Sequence, residues 1–170
     1  MFLNRTNRSG IIKGGMIGGK DQAGKWKLDA RFSRAELIRR VEAIAEYRNR
    51  ISIYNMDAMV FMRKIVRKLP LNTLIYLDPP YYLKGSRLYP DYYHHDDHAR
   101  IADYVQGDVA QPWIVTYDNV EEIGRLYSRR RSLTYSLNYS ASTHRKGTEV
   151  MFFSDSLAVS TARYLTTSIA

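Results

Sequence analysis

From Ile51 onward the chain alternates between two hydrophobic periods, and this constrains its fold more than any other feature. Ile51–Asn55, Thr73–Leu77 and Trp113–Tyr117 are short apolar runs rich in β-branched and aromatic residues, the composition of buried strands. Between them, Ala58–Leu69 carries Met59, Met62, Ile65, Val66 and Leu69 at helical spacing. A second helix is predicted to open at Asp96 or Asp97, to run through Gln106 and to close at Gly107. A third, from Asn119 to Tyr127, begins with an Asn119/Glu122 cap pair. Ser132–Asn138 and Glu149–Ser154 read as two strands joined by a polar loop. Strands alternating with helices predict an α/β domain with a mostly parallel sheet between helices, ending in an antiparallel strand pair.

The first fifty residues read differently. Glycines at 10, 14, 15, 18, 19 and 24 punctuate an irregular basic segment. Gly14-Gly15-Met16-Ile17-Gly18-Gly19 lacks dinucleotide-loop spacing and is not flanked by a strand and a helix, so a flexible loop or hairpin is expected. Ser33-Arg34-Ala35-Glu36 matches a capping box, and Leu37, Ile38, Val41, Ile44 and Ala45 then form one apolar stripe. Arg39, Arg40 and Arg48 fall mostly on the opposite face.

Several function classes are excluded early. The chain has no cysteine, so disulfides, thiolate metal sites and cysteine nucleophiles are out. No apolar run is long enough to span a bilayer, and polar residues follow Met1-Phe2-Leu3 at once, so no signal peptide or membrane partner is expected and the expected location is cytoplasmic. There is no serine elbow and no phosphate loop. The net charge of +9 is uneven: residues 1–50 carry +7, 51–70 carry +3, 71–125 carry −5 and 126–170 carry +4. Basic regions on either side of an acidic middle are the footprint of a polyanion binder, because each cation that meets a phosphate releases a counterion.

The sharpest local feature is Leu74-Ile75-Tyr76-Leu77-Asp78-Pro79-Pro80-Tyr81, a strand that ends on two prolines. In open α/β sheets, ligands bind outside the carboxyl ends of strands. Two prolines fix two φ angles and remove two amide donors, leaving a stiff turn that offers acceptors: the Asp78 carboxylate and the Pro79 carbonyl. Tyr81 adds an aromatic face. An exocyclic amino group on a nucleobase has two N–H donors, and two fixed acceptors would bind both. They would also stabilise the positive charge that grows on nitrogen as it attacks an electrophilic methyl. Tyr81 could stack on a base flipped from the duplex. Tyr117-Asp118-Asn119, at the next strand end, is a candidate for the same pocket. His94 and His98 are four apart, but the helix is expected to begin between them, so a polar loop and cap is preferred and no metal site is assigned. Arg129-Arg130-Arg131 reads as an edge guard or a phosphate contact.

Asp78–Tyr81 resembles the signature of amino-group methyltransferases that use S-adenosylmethionine. Met1–Ile11 and Gly24–Phe32 look like the end of the target-recognition region in Dam-like adenine-N6 DNA methyltransferases. Ile53–Met59 resembles that family's strand-end segment at the cofactor adenine, and Arg145–Val150 its C-terminal segment. The resemblance covers about residues 1–155, in family order.

It implies a partial Rossmann-like methyltransferase fold in three parts. Residues 1–32 would be the end of the recognition region, 33–157 the C-terminal part of the catalytic domain and 158–170 a flexible tail. It further implies that Asp78, Pro79, Pro80 and Tyr81 hold the target adenine, and that Asp57, Ala58 and Asp78 meet the cofactor, Asp57 by accepting from its adenine amino group. Asn4, Arg5, Asn7, Arg8, Lys25, Lys27, Arg145 and Lys146 would contact double-stranded DNA. The family opens with a strand and glycine-rich loop for the methionine end of the cofactor and a second strand for its ribose; neither pattern occurs in this chain. The expectation is therefore a C-terminal half, whose partner could be a separate chain supplying the rest. Ile51–Asn55 would then lack a neighbour and Thr73–Leu77 would lose one. Amino methylation of RNA or of cytosine, and a non-catalytic DNA-binding remnant, are the competing expectations. Bacterial or phage restriction-modification is the expected setting.

Overall fold

The computed structural model describes residues 1–11, 13–83, 85, 92–138 and 146–158. Two compact units make up the chain, Met1–Asn55 and Met56–Ala170.

The first unit holds a short helix α1 (Phe2–Thr6) and a longer helix α2 (Arg34–Ala45). Ser33 occupies the cap position of α2, but no capping box forms. The Glu36 carboxylate instead holds Arg39 at 2.8 Å and Arg40 at 2.7 Å, and these guanidiniums, Arg40 first, keep its carboxyl below the usual range. Of the predicted apolar stripe only Leu37 is buried; Ile38, Val41 and Ile44 lie open at 46%, 50% and 62% exposure. The glycine-punctuated segment is a tied loop. Its backbone pairs Asn7 with Met16, and the Gln22 side chain sits at the centre. The Gln22 amide donates to the Ile17 and Gly19 carbonyls at 2.8 and 2.7 Å and accepts from the Leu28 amide at 2.8 Å. A Cβ on Gly18, which sits at φ +87°, would meet the Trp26 carbonyl at 2.9 Å, so this crossing needs glycine.

Ile51–Asn55, predicted as a strand, joins no sheet, and Ile53 is 89% exposed. A strand is held by ladder hydrogen bonds, and none of the described strands pairs with it.

The second unit is α/β. Its elements in chain order are α3 (Ala58–Lys64), β1 (Ile75–Leu77), α4 (His95–Gly107), β2 (Trp113–Asp118), α5 (Glu121–Leu126), β3 (Arg131–Asn138) and β4 (Lys146–Phe153). The helix predicted to reach Leu69 stops at Lys64 and tightens into one 3-10 turn, Val66–Lys68. Pro70 disfavours helical geometry at the residue before it, and Leu69 sits at φ −75°, ψ 153°. The Gln111 amide donates to the carbonyls of Val66 and Leu69, both at 3.0 Å, which satisfies that helix end. Helix α4 is capped by His94 in a reciprocal box with Asp97, whose carboxylate accepts the His94 amide at 2.8 Å. The Asn119/Glu122 cap does not form. The Asn119 amide donates to Thr148 in the sheet at 3.0 Å, and Val120 takes the cap position.

The sheet order is β1-β2-β4-β3. Only β1 and β2 run parallel; β4 enters antiparallel between β2 and β3, so the sheet is mixed rather than mostly parallel. The expected antiparallel pair is present, but its second strand also pairs β2, so two of the three pairings are antiparallel. Strand β1 is an edge among the described residues, with Leu74 and Tyr76 exposed.

Strand parity then divides the chemistry. Registers Ile75↔Trp113, Leu77↔Val115, Val115↔Phe152 and Tyr117↔Val150 put these side chains on one face. There they join Met62 and Val66, Ile101, Ala102 and Val105 from α4, and Ile123 and Tyr127 in one core. The opposite face carries Tyr76, Thr116, Asp118, Glu149 and Tyr135, through Thr116↔Met151, Asp118↔Glu149 and Tyr135↔Glu149.

His98 lies within the core side, fully buried, with Nδ1 at 3.1 Å from the Tyr117 hydroxyl and its ring among Tyr82, Tyr93 and Tyr117. Burial pushes its pKa below the usual imidazole value. The unfolded chain therefore binds the proton first as pH falls, and folding stability drops below about pH 6.5. Denaturation of the wild type between pH 7 and 5 should show this loss, at most about 1.4 kcal/mol per pH unit, and His98→Phe should flatten it. Equal slopes in both proteins would remove the imidazole from the account. No described helix is long and apolar enough to cross a membrane.

Candidate functional site

Parallel pairing puts the carboxyl ends of β1 and β2 together, so the turn after Leu77 meets Asp118. Strand β4 runs the other way, which brings Glu149 opposite Asp118. Strand β3 returns beside it with Tyr135 opposite Glu149. Four strands thus deliver polar side chains to one end of one face.

Asp78 is exposed and held by one oxygen. The Thr116 hydroxyl donates to its Oδ1 at 2.8 Å and lies 3.1 Å from the Tyr76 hydroxyl. A hydroxyl has one proton, and the carboxylate is the stronger acceptor, so Tyr76 donates to Thr116 and Thr116 to Asp78. This chain fixes the carboxylate while Oδ2 has no partner among the described residues. Pro79, Pro80 and Tyr81 are half-buried.

Past the prolines, two carboxylates grip the chain. Glu149, 9% exposed, accepts the Tyr81 hydroxyl on Oε1 at 2.9 Å and the Tyr135 hydroxyl on Oε2 at 2.6 Å. Asp118 accepts the backbone amides of Tyr82 and Leu83 at 2.8 and 3.1 Å, one on each oxygen. Burial, and then the bond to Glu149, raises the Tyr135 phenol above the usual tyrosine range, so it stays a donor at neutral pH. The arrangement is a stiff acceptor turn with one ring pinned by its hydroxyl. It can receive a donor-rich flat group.

Asp57 and Ala58 open α3, where Asp57 Oδ1 accepts the Val60 amide at 3.0 Å. Asp57 is exposed, and its second oxygen can accept from an exocyclic amine. Asp57 and Ala58 are the residues that would hold the adenine end of S-adenosylmethionine. For the methionine end, no glycine turn follows a strand among the described residues.

The expected DNA contacts separate. Asn4, Arg8, Lys25 and Lys27 are exposed and Arg5 is half-exposed. Asn7 is buried, and its side-chain amide donates to the Ile11 carbonyl at 3.2 Å. Lys27 donates to the Gln22 carbonyl at 2.5 Å. Lys25 lies over the indole of Trp26, 5.5 Å from the ring centroid, and Trp26 is 66% exposed. The sequence reading passed over that tryptophan, although its lysine neighbours on both sides were a signal. Arg145 lies outside the described residues; the Lys146 backbone pairs with Asn138. Thr116, Glu149 and Tyr135 were also missed, and of the Tyr117-Asp118-Asn119 candidate, Asp118 reaches the turn while Tyr117 faces the core.

A cleft of about 390 Å³ in the second unit is lined by Arg63, Arg67, Tyr104 and Asp108, and one of about 410 Å³ in the first unit is mostly apolar around Leu37 and Val41. Neither includes Asp78 or Tyr81. No protein-family model matches the chain, and no curated protein is significantly similar to it in sequence.

Proposed function

We propose that the chain carries the target-base side of an S-adenosylmethionine-dependent methyltransferase acting on the N6 amino group of adenine in DNA. The observation that carries this reading is the fixed Asp78 carboxylate with one oxygen unpartnered among the described residues, at the carboxyl end of a strand and followed, after two prolines, by the pinned ring of Tyr81. Asp78 and the Pro79 carbonyl accept the two amino hydrogens, which biases nitrogen toward tetrahedral geometry. They then stabilise the positive charge that develops there. Tyr81 stacks on the flipped purine, and Asp78 takes the surplus proton afterwards. The cofactor, when bound, supplies an electrophilic methyl on sulfonium sulfur; Asp57 and Ala58 are the residues offered to its adenine end. A partial Rossmann-like sheet is the matching fold, and the open edge of β1 supports a partner chain that adds a strand there.

The basic first unit supplies the DNA contacts in this reading, with Asn4, Arg5, Arg8, Lys25 and Lys27 near the duplex and Arg145 and Lys146 adding phosphate contacts. Mixed-sequence DNA and RNA incubated with the protein and methyl-labelled S-adenosylmethionine, followed by nucleoside analysis, is the test. N6-methyladenine in DNA is the expected product. Label in RNA or in cytosine would transfer the reading to its nearest rival. Salt-dependent DNA binding without label, in the presence of any partner chain, would favour a non-catalytic binder.

A further inference from the structure

We infer that Glu149 is a positioning residue that sets the plane of the Tyr81 ring, and thereby the plane of the target base. The inference rests on the base-stacking role given to Tyr81 above. Tyr81 and Glu149 are 68 residues apart in sequence and join through a bond of 2.9 Å from the phenol to Oε1. A ring on a two-bond side chain can still swing about Cα–Cβ and Cβ–Cγ. Fixing its far oxygen removes most of that freedom. The anchor must then be immobile itself. Glu149 meets this requirement in three ways: it is buried at 9% exposure, it sits within β4 where it pairs both Asp118 and Tyr135, and its second oxygen is held by the Tyr135 hydroxyl at 2.6 Å. Backbone freedom is removed from the other side, because Asp118 takes the amides of Tyr82 and Leu83. The two carboxylates are cross-strand neighbours, so one rung of the sheet grips Tyr81 by its hydroxyl and the chain just after it by its amides.

A buried carboxylate is a costly way to fill space, since an apolar residue of similar volume would serve packing as well. Its retention at the tip of a ring beside the acceptor turn fits orientation better than stability. Tyr135 is the supporting member. Its phenol remains protonated because burial and the Glu149 bond raise it, so the carboxylate keeps its anchor over the neutral pH range.

Glu149→Gln is the informative variant, because it keeps shape while replacing the charged acceptor by a weaker neutral one; Glu149→Ala would take the carboxylate from both phenols and risks misfolding. Methyl transfer by the full chain, with any partner present, should fall about 10-fold in kcat for Glu149→Gln, with KM for DNA within about twofold. Tyr81→Phe, which deletes the bond, should lose at least as much, and the double variant no more than Tyr81→Phe alone, since both act on one bond. Losses that multiply, or a Glu149→Gln rate equal to wild type, would overturn the inference. A second measurement needs no turnover. In protein labelled with 3-fluorotyrosine, the Tyr81 fluorine signal, identified by its loss in Tyr81→Phe, should narrow and move toward the free amino acid in Glu149→Gln, while that of Tyr117 stays. An unmoved Tyr81 signal refutes the positioning role. Absence of methyl transfer from wild type with a moved signal refutes the base-stacking assignment alone.

Discussion

Asp78→Ala is expected to lower the methyl-transfer kcat by about 10²- to 10³-fold, the usual effect of deleting one fixed group that meets transition-state charge. DNA affinity and its salt dependence should remain within about twofold, because the cations proposed to meet phosphate lie elsewhere in the sequence. Stability should change little as well: Asp78 is exposed, and the Thr116 hydroxyl it releases keeps Tyr76 as a partner. Single-turnover transfer and fluorescence-anisotropy titration on the same preparation separate the two quantities. A variant that methylates at the wild-type rate would end the acceptor-turn reading, whatever the DNA affinity.

The largest loss of stability is expected from Tyr127→Ala. Tyr127 is fully buried, with its ring stacked on Phe152 at 4.6 Å and 19°, and with Trp113 and Tyr117 at 6.4 and 6.2 Å. Truncating a buried ring of this size costs about 3–5 kcal/mol through lost transfer and an unfilled cavity. That is a large fraction of the total stability of a single domain, about 5–15 kcal/mol. Urea denaturation should therefore show an early midpoint or no folded baseline. Tyr127→Phe retains the stack and should lose far less. Equal loss in both variants would assign the effect to the hydroxyl instead of the ring.

The α/β class was legible because local patterns there agree with their surroundings. Trp113–Tyr117 is both β-prone and central, and it became a strand almost to the residue. Ile51–Asn55 has the same composition and did not, because pairing needs a neighbour that composition cannot supply. Ser33 and Glu36 had the right spacing for a cap, but two guanidiniums one turn on outcompeted a backbone amide for the carboxylate. The acceptor turn could be read from four adjacent residues. Its supports could not, since Thr116 reaches Asp78 across 38 positions and Glu149 reaches Tyr81 across 68. The first meeting depends on β1 lying parallel beside β2 and the second on β4 pairing with β2, and strand order is a global property that no window of sequence contains.

The alternation of β2 has a consequence for folding fidelity. Along Trp113–Asp118 the side chains of Trp113, Val115 and Tyr117 belong to the oily interior, and those of Thr116 and Asp118 on the alternate face belong to the polar network. A slip of one residue against β4 would turn Thr116 and Asp118 into hydrocarbon and Val115 and Tyr117 onto the polar face. Errors of alignment in this strand would therefore collapse the whole unit instead of leaving a folded but inert molecule, and the population that survives as native would carry the acceptor turn correctly assembled.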